Sequence, residues 1–86
     1  ATLLQMKTQG IWVVGLDREG EASIYDTDFK GPVAVVVGGE GKGLRPLIKK
    51  SCDILIHIPQ LVGFNSLNAS VAGAVTLYEA FRQRNA

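Results

Sequence analysis

The sequence predicts an α/β domain whose mostly parallel sheet is flanked by helices, and three short apolar runs carry that prediction. The runs are residues 11–14, 33–37 and 54–58. Each is rich in β-branched residues and too short for a typical helix, which favours strands. Segments of helical character lie at 2–9, 46–50 and 66–84. Strands that alternate with helices are typical of parallel sheets, because each parallel connection must cross back over the sheet.

Glycine and proline set the expected boundaries of these elements. Gly10 ends the first short helix, and Gly15 closes the first strand. The polar segment 17–28 predicts a surface loop. The valine-rich second strand is expected to be buried on both faces. Pro46 fits the first turn of the next helix, where its missing N–H has no intrahelical partner.

The helix over 66–84 is the longest predicted element. Its apolar residues recur at alternating steps of four and three, which places them on one face. They are Leu67, Val71, Ala74, Tyr78 and Phe81. Small and apolar side chains widen this surface at Ala69, Ala72, Gly73 and Val75. We therefore expect the helix to contact both its own sheet and another subunit.

The amino-acid composition limits the classes of protein to which this chain can belong. The 86 residues suffice for one small domain, and 47% hydrophobic residues with a net charge of +1 exclude a disordered chain and a strongly polyanion-binding one. Cys52 is the single cysteine, so neither an internal disulfide nor a metal cluster is expected, which fits a reducing cytoplasmic compartment. No apolar run reaches the roughly 20 residues that cross a bilayer, so no membrane association is predicted.

A cluster of glycines, residues 38–43, follows the second strand, at the edge where open α/β sheets bind ligands. A P-loop would need glycine at Val36, and a dinucleotide fingerprint would need glycine at Leu44, so both readings fail. A carboxylate, Glu40, beside exposed N–H groups suits a ligand with a cationic centre. A tight strand-to-helix turn is the competing interpretation.

A second polar cluster follows the third strand, in residues 58–70. It contains Asn65, Ser66, Asn68 and Ser70 at the start of the last helix. One of these residues can cap the helix, but four together lower helix propensity. Their concentration beside a sheet edge predicts contact with a ligand or substrate.

These two stretches resemble the second and third motifs of the SpoU/TrmH family of RNA ribose 2′-O-methyltransferases. The second motif corresponds to residues 38–44 (GGEGKGL), and the third runs from Ile58-Pro59 through residues 66–72 (SLNASVA). Residues 10–16 and 77–84 also resemble family members at corresponding places. The resemblance implies the SPOUT fold, with a trefoil knot in its C-terminal part, and a homodimer.

The resemblance also implies a cofactor, S-adenosylmethionine, bound in the knot. Main-chain groups at Gly38, Ile58 and Leu67 would hold its adenosine portion. Gly39 and Gly41 would let the backbone approach it.

The polar active-site positions of the family correspond to Glu40, Ser66 and Asn68. By the resemblance, these residues orient the target ribose or the groups that activate its 2′-OH for direct in-line methyl transfer. A ribose hydroxyl is a weak nucleophile, so positioning it and removing its proton is the physical task of the site. The implied substrate is ribosomal or transfer RNA.

The family's first motif, with its asparagine and arginine, is not found in the sequence. We therefore expect residues 1–86 to form one domain that corresponds to the C-terminal portion of a SPOUT catalytic domain. Two alternatives stay open: a cofactor-binding or RNA-binding module without catalysis, and a structural knotted fragment without activity.

Three further features have structural and functional interpretations. His57 is expected to be a sheet or interface residue rather than a base, because no partner lies at a recognisable spacing. Cys52 is expected to be a small buried residue rather than a reactive thiol. Four basic residues form either an RNA-binding edge or a solvated helix face. They are Lys42, Arg45, Lys49 and Lys50.

Overall fold

A parallel sheet of four strands organises the chain. The computed structural model describes residues 2–38, 44–59 and 69–86, apart from the side chain of Ala69. The strands are β1 (Trp12–Leu16), β2 (Ala22–Ser23), β3 (Val33–Val36) and β4 (Ile54–His57). Their order is β2-β4-β1-β3, and all three pairings are parallel. The predicted parallel α/β fold is confirmed.

Three α-helices connect or follow the strands. They are α1 (Leu3–Thr8), α2 (Pro46–Ser51) and α3 (Ala69–Arg84). Thr2 caps α1 through a reciprocal pair of bonds with Gln5, and Pro46 occupies the first turn of α2 as predicted. Within the described ranges, no helix is long and apolar enough to span a bilayer. The described helices therefore agree with the predicted segments to within a few residues.

The interior strand β1 carries the core. Val13 and Val14 are fully buried, and they lie in the middle of the sheet between β3 and β4.

The prediction that the valine-rich strand is buried on both faces is wrong. That strand is β3, whose residues are all half-buried. It lies last in the strand order, so it borders only β1 in the sheet.

Gly15 lies inside β1 and does not close it, which corrects the predicted boundary. A Cβ atom at this position would lie 2.7 Å from Cys52 Sγ and 2.8 Å from Leu44 Cδ1. Real Cβ atoms do not approach neighbours so closely. The absence of a side chain at Gly15 therefore lets the residues that flank α2 pack directly on the face of β1.

The segment 17–28 is more ordered than the predicted surface loop. Ala22 and Ser23 form β2, which pairs with β4, and a short 3-10 helix follows at Ile24–Asp26. Ile24 is 1% exposed and belongs to the core. A strand of two residues is too short to show an alternating pattern, so the sequence gives no periodic signal for it.

An aspartate ties the beginnings of β1 and β4 together. Asp53 Oδ2 accepts a hydrogen bond from Val13 N at 2.7 Å, and Asp53 N donates to Val13 O at 2.8 Å. Lys7 Nζ of α1 lies 3.6 Å from the other carboxylate oxygen. One carboxylate thus fastens α1 and β1 at the amino end of the sheet.

The C-terminal end of α3 is bonded to the segment that precedes β3. Gln83 accepts a hydrogen bond from Phe29 N at 2.8 Å and donates one to Thr27 O at 2.8 Å. Arg84 donates to Phe29 O and Gly31 O. These bonds hold the fully buried Phe29 ring in the core.

A charged pair on α3 supports the same contact. Arg82 Nε and Nη2 donate to Glu79 at 2.8 and 2.9 Å, and Gln83 Nε2 donates to Glu79 Oε2 at 2.9 Å. The Arg82 hydrogen bonds, followed by that of Gln83, lower the pKa of Glu79 to about 2. Glu79 therefore stays ionised as an acceptor for Gln83 at any ordinary pH.

In the structure, α3 does not bury its apolar stripe against the sheet. The side that is buried carries Ala72, Thr76, Glu79 and Ala80. The described part of the predicted stripe is the exposed side, where Tyr78 is 72% and Phe81 62% exposed and their rings stack with centroids 6.3 Å apart. The side of α3 that carries small and polar residues lies against the sheet, because small side chains let the helix approach closely. Glu79 can be buried on this side because it accepts hydrogen bonds from Arg82 and Gln83.

Candidate functional site

Two of the predicted site residues, Gly38 and Ile58, lie in the described part of the chain. Val36 of β3 and Leu55 of β4 are both aligned with Gly15 of β1. Because the three strands are parallel, the chain leaves β3 towards Gly38 and β4 towards Ile58 at the same carboxyl edge. The two residues therefore flank the end of β1 on its two sides, where α/β sheets bind ligands.

The start of α3 reaches the same edge. A Cβ atom on Gly73 would lie 3.5 Å from a methyl carbon of Val37, the residue before Gly38. Gly73 belongs to the first half of α3, which follows residue 68 directly. The structure thus brings Gly38, Ile58 and the first half of α3 to one edge of the sheet.

The other predicted site residues lie outside the described residues. They are Gly39, Glu40, Gly41, Ser66, Leu67 and Asn68. Their assigned roles in cofactor binding and catalysis stay predictions, as does the trefoil knot. The described residues fix where the chain leaves the sheet: after Val36 in one case and after His57 in the other.

An ionised carboxylate lies at the end of β1 between these two exits. Asp17 Oδ1 accepts a hydrogen bond from Glu19 N at 2.9 Å, and Oδ2 lies 3.0 Å from Lys49 Nζ of α2. The Glu19 N–H bond, and then the Lys49 ammonium, lower the pKa of Asp17. Sequence reasoning did not single out Asp17, although an acidic residue directly after a buried strand was a usable signal.

His57 is a sheet residue, as predicted. It ends β4, and its Nδ1 lies 2.9 Å from Gly20 O. A carbonyl oxygen only accepts, so Nδ1 carries the proton in this bond. The bond holds the turn between β1 and β2 against β4 and gives the imidazole a structural role.

Cys52 is half-buried at the end of α2 and donates to Ile48 O at 3.3 Å. Burial raises the pKa of its thiol, which is opposite to what a reactive cysteine requires. This agrees with the predicted packing role. In the part of the chain that the structure describes, no group of three or more His, Cys, Asp or Glu side chains is arranged to hold a metal ion.

The predicted basic edge is only partly available for phosphates. Lys49 is engaged by Asp17, and Lys42 lies outside the described residues. Arg45 and Lys50 are exposed, and no ion pair joins either of them to another described residue. An RNA contact by these two cations stays a prediction.

A family comparison decides the class of protein. Residues 1–78 match the model of the SpoU rRNA Methylase family, which is most of the chain. The chain belongs to the SpoU rRNA methylase family. This membership agrees with the glycine cluster at 38–43 and with the polar cluster after Ile58, which carried the resemblance in the sequence.

Curated relatives from this family match almost the whole chain. The 23S rRNA (guanosine-2′-O-)-methyltransferase RlmB of Ralstonia nicotianae is 48% identical over 98% of the chain. A protein of Bacillus subtilis, the putative TrmH family tRNA/rRNA methyltransferase YacO, is 46% identical over 98% of it. In both cases the chain covers 34% of the relative. It thus spans about a third of the length of the curated SpoU relatives it matches.

Solved SpoU structures share the fold. The methyltransferase AviRb from Streptomyces viridochromogenes, in complex with AdoMet, superposes with a TM-score of 0.87 at 35% identity, over 98% of this chain and 32% of that one. The A. aeolicus TrmH/SpoU tRNA modifying enzyme superposes with a TM-score of 0.85 at 38% identity, over 96% of this chain and 43% of that one. The described sheet therefore has the fold of these solved SpoU structures.

Proposed function

We propose that this chain forms the cofactor-binding part of an S-adenosylmethionine-dependent RNA 2′-O-ribose methyltransferase. The observation that carries the proposal is the convergence of the β3 exit, the β4 exit and the start of α3 at one edge of the sheet. AviRb, which shares this fold, is described in complex with AdoMet. Two chain segments leave the sheet on either side of β1. In α/β folds, nucleotides bind at such an edge, between the segments that leave neighbouring strands, so the described residues fit this ligand.

In this proposal the cofactor is held by backbone groups rather than by charged side chains. Gly38, Ile58 and Leu67 hold the adenosine portion, and Gly39 and Gly41 leave room for it. Backbone donors and acceptors beside residues without bulky side chains suit a ligand that approaches the chain closely. When bound, S-adenosylmethionine supplies an electrophilic methyl group.

Glu40, Ser66 and Asn68 act on the RNA in this proposal. They orient the ribose, or the groups that activate it, so that its 2′-OH lies in line with the methyl donor and can lose its proton. The named relatives include a 23S rRNA methyltransferase and a tRNA/rRNA methyltransferase, so the proposed substrate is ribosomal or transfer RNA. Such a substrate, together with the single unpaired cysteine, favours the cytoplasm.

We further propose that the chain forms a homodimer through α3. Tyr78 and Phe81 expose a stacked pair of rings, and Val71 beside them on the predicted stripe is 43% exposed. On a domain of 86 residues, an exposed apolar helix face can pack against the same face of a second copy across a twofold axis. Twofold dimers are the commonest symmetric assemblies of soluble proteins. A second copy of the chain is therefore the molecule proposed to cover this stripe.

Calorimetric titration of the purified chain with S-adenosylmethionine tests the cofactor proposal, with ATP and NADH as controls. We expect selective binding of S-adenosylmethionine. Leu67→Pro should abolish it by moving main-chain groups, whereas Glu40→Ala should change the affinity less than about threefold, because its proposed role is in transfer. A folded chain that binds none of the three nucleotides would support the structural-fragment alternative. Equal binding of the Leu67→Pro variant would contradict the assigned site.

Substitution of the exposed stripe tests the dimer. Phe81→Glu is expected to convert the dimer to a monomer in sedimentation velocity, because it places a charge in a desolvated apolar contact. Leu4→Glu is the matched control, since Leu4 is also strongly exposed, at 71%, but lies on α1. A parent chain that sediments as a monomer would refute this part of the proposal.

A further inference from the structure

The sheet ends in two edge strands of different character. At one end, β2 has only two residues, and so short an edge offers few free backbone groups. At the other end, β3 lies in the apolar run 33–37 (VAVVV), which contains no charged residue, proline or glycine. Proteins usually protect an edge strand with charges, proline or a covering element. Among the described residues, no strand borders the outer edge of β3.

The pairing with β1 shows which backbone groups of β3 are directed outwards. Trp12 N donates to Pro32 O at 2.9 Å, so Pro32 directs its carbonyl oxygen towards β1. In a parallel pair, alternate residues of a strand bond the same neighbour. By this alternation Ala34 also bonds β1, whereas Val33 and Val35 direct their N–H and C=O groups to the outer edge. These groups form a row that a further strand can bond.

Both faces of β3 carry apolar side chains. Val33 and Val35 pack against the buried core. Val36 is aligned with Gly15, whose face is covered by Leu44 next to α2, so Val36 lies on the opposite side of the sheet. Continuous apolar runs of this kind are typical of interior strands of parallel sheets. β3 thus has the sequence of an interior strand at an edge position, and its residues are only half-buried there.

From these observations we propose that the outer edge of β3 is an interaction surface that pairs with a further parallel strand. The partner is a short apolar strand, since both of its faces continue the apolar faces of β3. Its backbone bonds the free N–H and C=O groups of Val33 and Val35. The inference goes beyond the proposed function and does not depend on cofactor binding.

The partner strand is proposed to come from a segment that corresponds to the part of the SpoU relatives outside the match. The chain covers 34% of the Ralstonia nicotianae RlmB and 32% of AviRb, so most of each relative is available to supply such a strand. A second copy of this chain fits less well. A twofold dimer through this edge would pair two copies of β3 antiparallel, unlike the three described pairings.

Amide hydrogen exchange followed by NMR tests whether this edge is open in the chain. The Val35 amide is expected to exchange at least about 100-fold faster than the Ala34 amide, because only the Ala34 N–H is bonded to β1. Equal protection of the two amides at every protein concentration would show that residues of the chain itself cover the edge. Protection of Val35 that rises with concentration would show that a second copy covers it. Either result would overturn the proposal.

A chimera in which this chain replaces the matching third of the Ralstonia nicotianae RlmB tests the partner. We expect the Val35 amide to exchange about 100-fold more slowly in the chimera than in the chain alone. Rapid exchange in a folded chimera would contradict the proposal. Should the chimera not fold, RlmB itself provides the measurement, and rapid exchange at its position aligned with Val35 would count equally against the proposal.

Val35→Pro separates edge pairing from side-chain packing. Proline removes the outward N–H of this residue but no bond to β1. In the chimera, Val35→Pro should accelerate exchange of the Val33 amide at least about tenfold, whereas in the chain alone it should leave that amide unchanged. Val35→Ala is the matched control, because it shortens the same side chain and keeps the N–H. Equal exchange of the Val33 amide in the two chimera variants would refute the proposed pairing.

Discussion

Gly20→Ala is expected to lower the free energy of unfolding by at least about 3 kcal/mol. A Cβ atom at this position would lie 2.6 Å from both the Cα and the carbonyl oxygen of Ile56. Those atoms belong to the backbone of an interior strand and to a residue that is fully buried, so they cannot move aside. Chemical denaturation of the variant and the parent, followed by circular dichroism, measures the difference.

Gly31→Ala is the control for this prediction. A Cβ atom on Gly31 would meet no atom within 4 Å, and its backbone does not adopt the left-handed conformation that favours glycine. We expect a change within about 0.5 kcal/mol. A Gly20→Ala variant as stable as Gly31→Ala would show that the turn between β1 and β2 does not lie against Ile56.

Gln83→Met is expected to cost about 2–3 kcal/mol, although methionine nearly matches the shape of glutamine. The substitution leaves Phe29 N without its acceptor and Thr27 O without its donor, and both bonds are partly buried. Leaving a backbone polar group unsatisfied costs more than the net gain from a typical hydrogen bond. Denaturant unfolding monitored by circular dichroism measures the loss.

The same substitution at Gln9 is the matched control. Gln9 is exposed at the end of α1, and its side chain makes no hydrogen bond to another described residue. Gln9→Met should therefore change stability by less than about 0.5 kcal/mol. Equal losses in the two variants would mean that the contact between α3 and the segment before β3 contributes little to stability.

The sequence was informative where a periodic or apolar pattern matched a single element. The apolar runs at 11–14 and 54–58 predicted β1 and β4, and Pro46 marked the start of α2. The glycine cluster and the polar cluster both directly follow strands, so they indicated the carboxyl edge of the sheet. A ligand edge is predictable in this fold since the carboxyl ends of parallel strands all meet there.

Other features depended on contacts that no local pattern encodes. Gly15 resembles a turn residue in the sequence, but its role is to leave room for the side chains of Leu44 and Cys52, which flank α2. β2 is defined by its pairing with β4 and not by its own two residues. The stripe on α3 was recognised, yet which side of the helix is buried depends on the hydrogen bonds of Glu79 and Gln83 with distant partners.

The strand order also determines how this domain can be assembled as it is synthesised. Both β2 and β1 border β4, which is made last among the described strands, and Val13 lies 40 residues from its partner Asp53. A chain leaving the ribosome can therefore pair β1 with β3 early, while β2 has no sheet to join until β4 has emerged. Pairings between such distant residues require loop closure before any contact is gained, which makes folding slow. Until β4 emerges, the edge of β1 that β4 will cover is therefore open to pairing with other chains.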